Sequence, residues 1–554
     1  MEKIVRSLSV LFAVFLAGCA GQIPPSGGPV DKTPPKIVMS SPSPNQLNFT
    51  SDQVRIKFDK YMVERTVESS LYFPPFGLSD LKIDWSGKEM RIHVEKPFEK
   101  DRTYILTIGA RSQDTHGNYL GKAYNIVFST GSKIDTGTVV GNVYAPKAQP
   151  YTVAAYEVTP DIDTLRPNLT LPEYLTQSDD SGSYSLQGLA DGKYRLICFD
   201  DQMRNYMYAP QLDLYASATH DVEVTSEKPT VNNIDFAVAK EDTSHPQLYS
   251  AALANDGLLL LKLSEPLDPL HLLPSDFVVR DSASGDTLPV DFAVRLESNE
   301  YNVAIRTVRP VQLHRKYFVT ATDSLRDLQQ NHMSRSNHTV TFTPDSASAV
   351  VNPYFFNFAD SLKGVTAYDT LFCQFVIPDM NGKPTDPHVS LVDTSGKPLK
   401  GLVTQEPDKM FKIDTHALSP SKWYTVRLTY ASDVKGAAKD SVVKRRFMTI
   451  DSTTIGELKG KVVPVVHGRQ IVVDAQKKGG KSFYTLADTS GNFRLDEIPA
   501  GTYTVRAYVK RGPGMGYFNG RSYPFQFAEP FCVYQNPVKI RARWTTEGVA
   551  IRLH

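Results

Sequence analysis

Asp179-Asp180-Ser181-Gly182-Ser183-Tyr184-Ser185-Leu186, followed by Gly192-Lys193-Tyr194-Arg195-Leu196, sets a pattern from which much of the chain can be read. It returns as Asp488-Thr489-Ser490-Gly491-Asn492-Phe493-Arg494-Leu495 and Gly501-Thr502-Tyr503-Thr504-Val505, with the same spacing between its halves. Asp and Ser bond their own backbone in turns, and Gly supplies a positive φ. The pattern therefore predicts two strands joined at Asp-x-Ser-Gly and a third opened by Gly-x-Tyr. A Gly-containing strand precedes each copy, Val139–Val143 and Leu458–Val462.

A second kind of unit fills the space between. Val54-Arg55-Ile56-Lys57-Phe58 and Met90-Arg91-Ile92-His93-Val94 alternate with period two, the mark of half-buried strands. The unit starts at Pro34-Pro35 and runs through Thr103–Thr107 and a turn at Asp114–Asn118 to Phe128-Ser129-Thr130. It recurs with Leu259–Leu263, Lys316–Thr320 and a turn at Asp327–Asn331. A third copy carries Thr370–Phe375, Trp423–Leu428 and Phe447–Thr449. Short strands at regular spacing predict sandwiches. No amphipathic helical stretch of useful length interrupts them.

These motifs resemble known families. The units at 34–131, 245–345 and 350–450 resemble the SbsA-type bacterial immunoglobulin-like domain. Those at 137–239 and 455–554 resemble the carboxypeptidase regulatory, transthyretin-like domain. The fold class implied is all-β, five tandem β-sandwich modules, and neither family implies catalysis. The Pro/Gly tether at 19–33 ahead of such a module resembles lipoproteins of Bacteroidota.

At the N-terminus, Lys3 and Arg6 precede an apolar run to Leu16, and Leu16-Ala17-Gly18-Cys19 resembles the lipobox of bacterial lipoproteins. The resemblance implies a signal peptide over 1–18, cleavage before Cys19 and lipidation of its thiol. The run is short for a membrane span. Ala20 favours the cell outer membrane, and the facing side, periplasm or surface, stays open. Several acyl chains hold a protein firmly to a bilayer, whereas one alone holds it marginally.

Composition narrows the function further. Formal net charge is +1 over 554 residues, which speaks against a nucleic-acid partner. Cys198, Cys373 and Cys532 are an odd remainder in apolar surroundings and are expected to be buried free thiols rather than a disulfide framework. No metalloprotease, nucleophile-elbow or P-loop motif occurs, so no catalytic residue, metal or cofactor is expected. His332 and His338 lack a completing ligand at suitable spacing. Asp179 and Asp180 fit a turn better than an acid/base pair.

Four features are left as candidates. Segment 458–554 has more than twice as many Lys and Arg as Asp and Glu, and its loop carries Lys510, Arg511, Tyr517, Phe518 and Arg521. That loop reads either as a contact for an acidic protein or anionic glycolipid, or as a solvated basic hairpin. The insertion from Pro160 to Gln177 reads equally as a contact or as packing against a neighbouring module. Asp-Ser/Thr followed by an apolar residue or Thr recurs nine times, which resembles the Bacteroidota O-glycosylation motif and also suits turns; Thr164, Thr287, Ser361 and Ser441 are candidate acceptors. Exposed tryptophans would mark glycan binding, and only Trp85, Trp423 and Trp544 exist. The expected function is a membrane-anchored, non-enzymatic scaffold with protein partners in the cell envelope, such as an accessory of an assembly, secretion or transport complex. The alternative is a glycan-binding lipoprotein of a nutrient-uptake system.

Overall fold

Alternation along the strands separates two environments. Val54, Ile56 and Phe58 are buried while Arg55 and Lys57 face solvent, and Met90, Ile92 and Val94 repeat the pattern on the paired strand. A sheet with one apolar face must cover it, and a second sheet does so. The computed structural model describes residues 31–73, 80–254, 257–345, 351–376, 387–406, 410–434, 437–466, 468–512 and 516–553. The expected signal peptide over 1–18 and the expected lipidation site, Cys19, lie outside them. Among the described residues there are ten sheets and one α-helix, Glu64–Glu68. The fold is all-β, a series of tandem sandwiches.

Two compact units divide the chain. One holds residues up to 209, with 216–238 and 522–525; the other holds 210–215, 239–521 and 526–554. In the first, Ile37–Ser41, Gln53–Phe58, Glu89–Val94 and Leu81–Ser86 form a four-stranded antiparallel sheet. It faces a three-stranded sheet of Leu71–Tyr72, Thr103–Ile108 and Tyr124–Ser129 across a core that includes Phe58, Ile92, Leu106 and Phe128. The next sandwich is built differently. Gly137–Tyr144 pairs antiparallel with Ser183–Leu189 and parallel with Thr230–Val231 and Phe236–Ala237. Thr152–Glu157 lies between Tyr174–Gln177 and Gly192–Phe199 in the other sheet.

In the second unit, two sandwiches each carry a pair of four-stranded sheets. The first has Leu248–Leu253, Leu259–Leu263, Asn302–Thr307 and Val290–Arg295 in one sheet. The next contains the longest antiparallel strand pair among the described residues, Trp423–Val434 against Ala437–Thr449. The last sandwich repeats the mixed topology of the 137–239 segment. Ile455–Val463 pairs antiparallel with Asn492–Pro499 and parallel with Thr545–Arg552, and Ile471–Lys477 lies between Ser482–Leu486 and Gly501–Val509.

The Asp-x-Ser-Gly turns behave alike in both copies of this topology. Asp179 Oδ1 accepts from the backbone N–H of Ser181 at 2.9 Å and of Ser183 at 3.0 Å. Asp488 Oδ1 accepts from Ser490 and Asn492, both at 2.8 Å. Gly182 (φ +91°) and Gly491 (φ +82°) take the left-handed position. In the preceding strands Gly141 and Gly460 let another backbone come close. A Cβ on Gly460 would stand 2.3 Å from the Val549 carbonyl oxygen and 2.4 Å from the Phe493 ring.

Two outcomes follow from these contacts. Gly460→Ala should destabilise the last sandwich by about 1–3 kcal/mol through overpacking, whereas Gly512→Ala, with no described atom near its added Cβ, should be neutral; denaturant titration reads both. Acid should also weaken the fold. The Asn492 backbone and side-chain bonds hold Asp488 below the usual carboxylate range, and the Ser395 hydroxyl and Lys397 amide do so for Asp393. Stability from such groups is fully present above the unfolded value, near 4, and is lost as pH falls through the lower folded value. The melting temperature should drop below about pH 4, and Asp488→Ala should remove part of that slope.

Candidate functional site

The basic loop of the last sandwich is organised by an acid that composition alone passes over. Glu529 is fully buried, and its carboxylate accepts from the backbone N–H of Arg511 at 2.8 Å and of Phe518 at 3.0 Å. Lys510 Nζ pairs with it at 3.1 Å and also donates to the Gly516 carbonyl. Lys510 is 8% exposed, so it is a structural cation and not a surface contact. Tyr517 is half-buried, its ring against Tyr508 and Phe531 at 5.5 and 5.2 Å. Phe518 is half-buried too. The Arg521 guanidinium donates to the Gln329 carbonyl. Of the five loop candidates only Arg511 is exposed. The loop is thus folded around its own carboxylate.

A groove of about 640 Å³ opens at the junction of the last two sandwiches. Tyr368 and His416 line one wall, and Glu457, Arg494, Glu497, Arg543 and Trp544 line the other. The junction is pinned. Lys481 pairs with Asp369 at 2.5 Å, and the Tyr368 ring meets Phe483 edge-on at 5.4 Å. Trp544 precedes the strand Thr545–Arg552 and is 69% exposed. Arg494 pairs with both Glu457 and Asp496. Burial raises Glu497 above the usual carboxylate range, with Asp496 adding to it. Aromatic surface beside guanidinium groups on a fixed wall is the composition of a binding hot spot.

The other candidates are placed as follows. Trp85 is half-buried, stacked on Phe58 and donating to Glu68 at 2.9 Å. Trp423 is half-buried under the Arg446 guanidinium. Of the O-glycosylation candidates, Thr164 and Thr287 are exposed, whereas Ser361 and Ser441 are half-buried. The last four residues of the Pro160–Gln177 insertion form a sheet strand, Tyr174–Gln177, and Leu169 ahead of it is exposed. His332 Nδ1 engages the Asp323 carbonyl, and neither His332 nor His338 falls in a group of ligating side chains among the described residues. Cys198 and Cys373 are buried, and burial pushes the Cys373 thiol up to about 12, which removes its nucleophilicity at neutral pH. Cys532 is half-buried and also free.

Lys510→Met should leave Glu529 as an unpaired buried charge and cost about 3–5 kcal/mol. Lys478→Met, at an exposed position, should change stability by less than about 0.5 kcal/mol. Chemical denaturation of the two variants makes the comparison.

Residues 31–130 match the family described as bacterial Ig-like domain. No curated protein matches the chain. Among solved structures it is similar to the N-terminal part of the bacterial S-layer protein SbsC, at 16% identity and TM-score 0.17, over 37% of this chain and 44% of that one. It thus spans under half of the S-layer chain. Escherichia coli alpha-2-macroglobulin domains MG0-NIE-MG1 align at 15% identity and TM-score 0.16, over 49% of this chain and 95% of that one. BcpA, the major pilin subunit of Bacillus cereus, aligns at 10% identity and TM-score 0.13, over 76% and 99%. Scores this low carry no argument about function. The first sandwich, with its four strands facing three, is similar to the bacterial Ig-like domain at the level of family.

Proposed function

We propose that this chain is a non-enzymatic scaffold lipoprotein of the bacterial outer membrane, anchored through Cys19, that holds a cell-envelope protein. The groove at the junction of the last two sandwiches carries this reading. It sets the exposed Trp544 beside Arg543 on a wall fixed by the Lys481–Asp369 ion pair, within the most basic part of the chain. The partner that fits is a protein that offers an apolar side chain to cover the indole and a carboxylate for the exposed Arg543. A role as an accessory of an assembly, secretion or transport complex is in keeping with such a surface. The match of residues 31–130 to a bacterial Ig-like domain supports a binding role over a catalytic one.

The exposure of Trp544 also favours a second reading, a glycan-binding lipoprotein in which the indole stacks on a sugar ring. Capture from detergent-solubilised membranes with the full chain separates the two. A scaffold should retain a stoichiometric protein partner. The Trp544→Ala variant should bind that partner roughly thirtyfold more weakly, the loss expected for a hot-spot side chain. Recovery of no stable partner, together with sugar binding on a glycan array, would replace the scaffold with the second reading.

A further inference from the structure

Two sandwiches contain equivalent cages, one in each compact unit, in which Lys60 of the first is replaced by Glu265 in the second and Thr33 by Ser244. In the first sandwich the strand Gln53–Phe58 is followed by Asp59 and Lys60; in its counterpart, Leu259–Leu263 is followed by Ser264 and Glu265. The register confirms the equivalence. Ile37 pairs with Phe58 and Leu248 with Leu263, which places Asp31 opposite Lys60 as Asp242 is placed opposite Glu265. Met62 bridges Asp114, and Leu267 bridges Asp327.

The bonds of the two aspartates to the hydroxyl and the asparagine recur in both cages. The hydroxyl of Thr33 donates to Asp31 Oδ1 at 2.6 Å, and that of Ser244 to Asp242 Oδ1 at 2.5 Å. Asn118 Nδ2 donates to the Asp31 carbonyl at 2.9 Å and to Asp114 Oδ2 at 3.0 Å. Asn331 Nδ2 donates to the Asp242 carbonyl at 3.2 Å and to Asp327 Oδ2 at 2.8 Å.

The first cage already contains a cation. Lys60 Nζ stands 2.6 Å from Asp31, 3.1 Å from Asp114 and 2.9 Å from the Thr33 hydroxyl. Its charge answers both carboxylates. Burial pushes Asp114 up, but the bonds from Asn118 and Lys60 outweigh it and hold the group below the usual carboxylate range. In the second cage this cation is replaced by a third carboxylate. Oxygens of Asp242, Glu265 and Asp327 lie within 4.8 Å of one another, and no Lys or Arg ion pair to them is present among the described residues. Asp327 is 1% exposed; Glu265 Oε1 is buried with no hydrogen-bond partner, while Glu265 Oε2 accepts from the Ser244 hydroxyl at 3.2 Å. Burial and then the neighbouring acids raise Glu265; burial raises Asp327 as well. His245 is the basic group acting on Glu265, and its Nδ1 is engaged with the His332 carbonyl at 2.9 Å.

We infer that Asp242, Glu265 and Asp327 bind a divalent cation, Ca²⁺, at the place that the Lys60 ammonium fills in the first sandwich. All three ligands are hard oxygen donors, with no imidazole or thiolate, which selects Ca²⁺ over zinc. The ligand oxygens lie within 4.8 Å of one another, close enough for all three residues to reach one ion through Ca–O bonds of about 2.4 Å. The three carboxylates supply three to six of the six to eight oxygens that calcium takes, with water completing the shell. The ion would join the entry segment of the sandwich, the end of the strand Leu259–Leu263 and the turn at Asp327, the same three pieces that Lys60 ties together in the first copy. This site goes beyond the scaffold reading and does not depend on it.

Calorimetric titration of the chelator-treated full chain with CaCl₂ tests the inference, alongside its melting temperature. The wild type should bind one Ca²⁺ with a dissociation constant on the order of 10⁻⁴ M, as extracellular calcium modules do, and melt at a higher temperature in its presence. Glu265→Lys should recreate the ion pair of the first cage. It should melt no lower than the calcium-free wild type and show neither the binding heat nor the calcium-dependent rise. Absence of binding by the wild type up to about 10 mM Ca²⁺, far above that range, would overturn the inference. So would a Glu265→Lys variant that titrates like the wild type.

Discussion

One interaction recurs through the whole chain: an aspartate carboxylate that closes a turn by accepting the amides two and four residues ahead. Asp114, Asp179, Asp327, Asp393 and Asp488 all do this, at 2.7–3.0 Å. Each of the five sandwiches has one. The residue between the two bonded amides takes a positive φ every time: Gly117, Gly182, Gln330, Gly396 and Gly491. A strand carries unpaired amides into any turn, and those that no neighbouring strand meets need another partner. The carboxylate answers two of them at once and so fixes where one strand ends and the next begins. Once those points are fixed, period-two alternation decides which side chains face the core.

Satisfying the turns locally leaves the sandwich ends free for other tasks. Within the first unit, Tyr72 and Tyr206 meet ring to ring at 4.7 Å, and Arg204 donates to Ser69 at 2.9 Å. Within the second, Gln374 exchanges bonds with Arg295 and Glu297 at 2.8 and 3.0 Å, above a small apolar cluster that includes Leu258, Leu296 and Val376. The Tyr368–Phe483 contact does the same at the following junction. Side chains thus pack across these junctions, which is why the groove beside Trp544 has fixed walls. A partner meeting such a surface loses little free energy to ordering it.

Much of the architecture was legible in the chain. Alternation at Val54–Phe58 and Met90–Val94, the repeated Asp-x-Ser-Gly turns and the two kinds of unit point to an all-β series of sandwiches, and the buried state of Cys198 and Cys373 follows from their apolar neighbours. The loop around Lys510 was legible as basic and glycine-rich, but not as a shell around Glu529. Charge counts register a lysine as surface until its buried partner is known, and here that partner is 19 residues away. The acidic trio was missed for a related reason. Its members are distant in the sequence, and no motif spacing links them. The signal lay in a comparison of the two sandwiches, position by position, where Glu265 stands in the place of Lys60.

The sequence by itself determined the class of fold, because turn chemistry and period-two alternation are local properties that each segment carries alone. It determined which segments repeat, and hence that one topology is used at 137–239 and again at 455–553. The tertiary structure alone decided which charges are solvated and which are buried. It paired Lys510 with Glu529, set Trp544 beside a groove, and brought Asp242, Glu265 and Asp327 within reach of one ion. Electrostatic energy depends on distance and on exclusion of water, and strands far apart in the chain acquire both only when the sheets close.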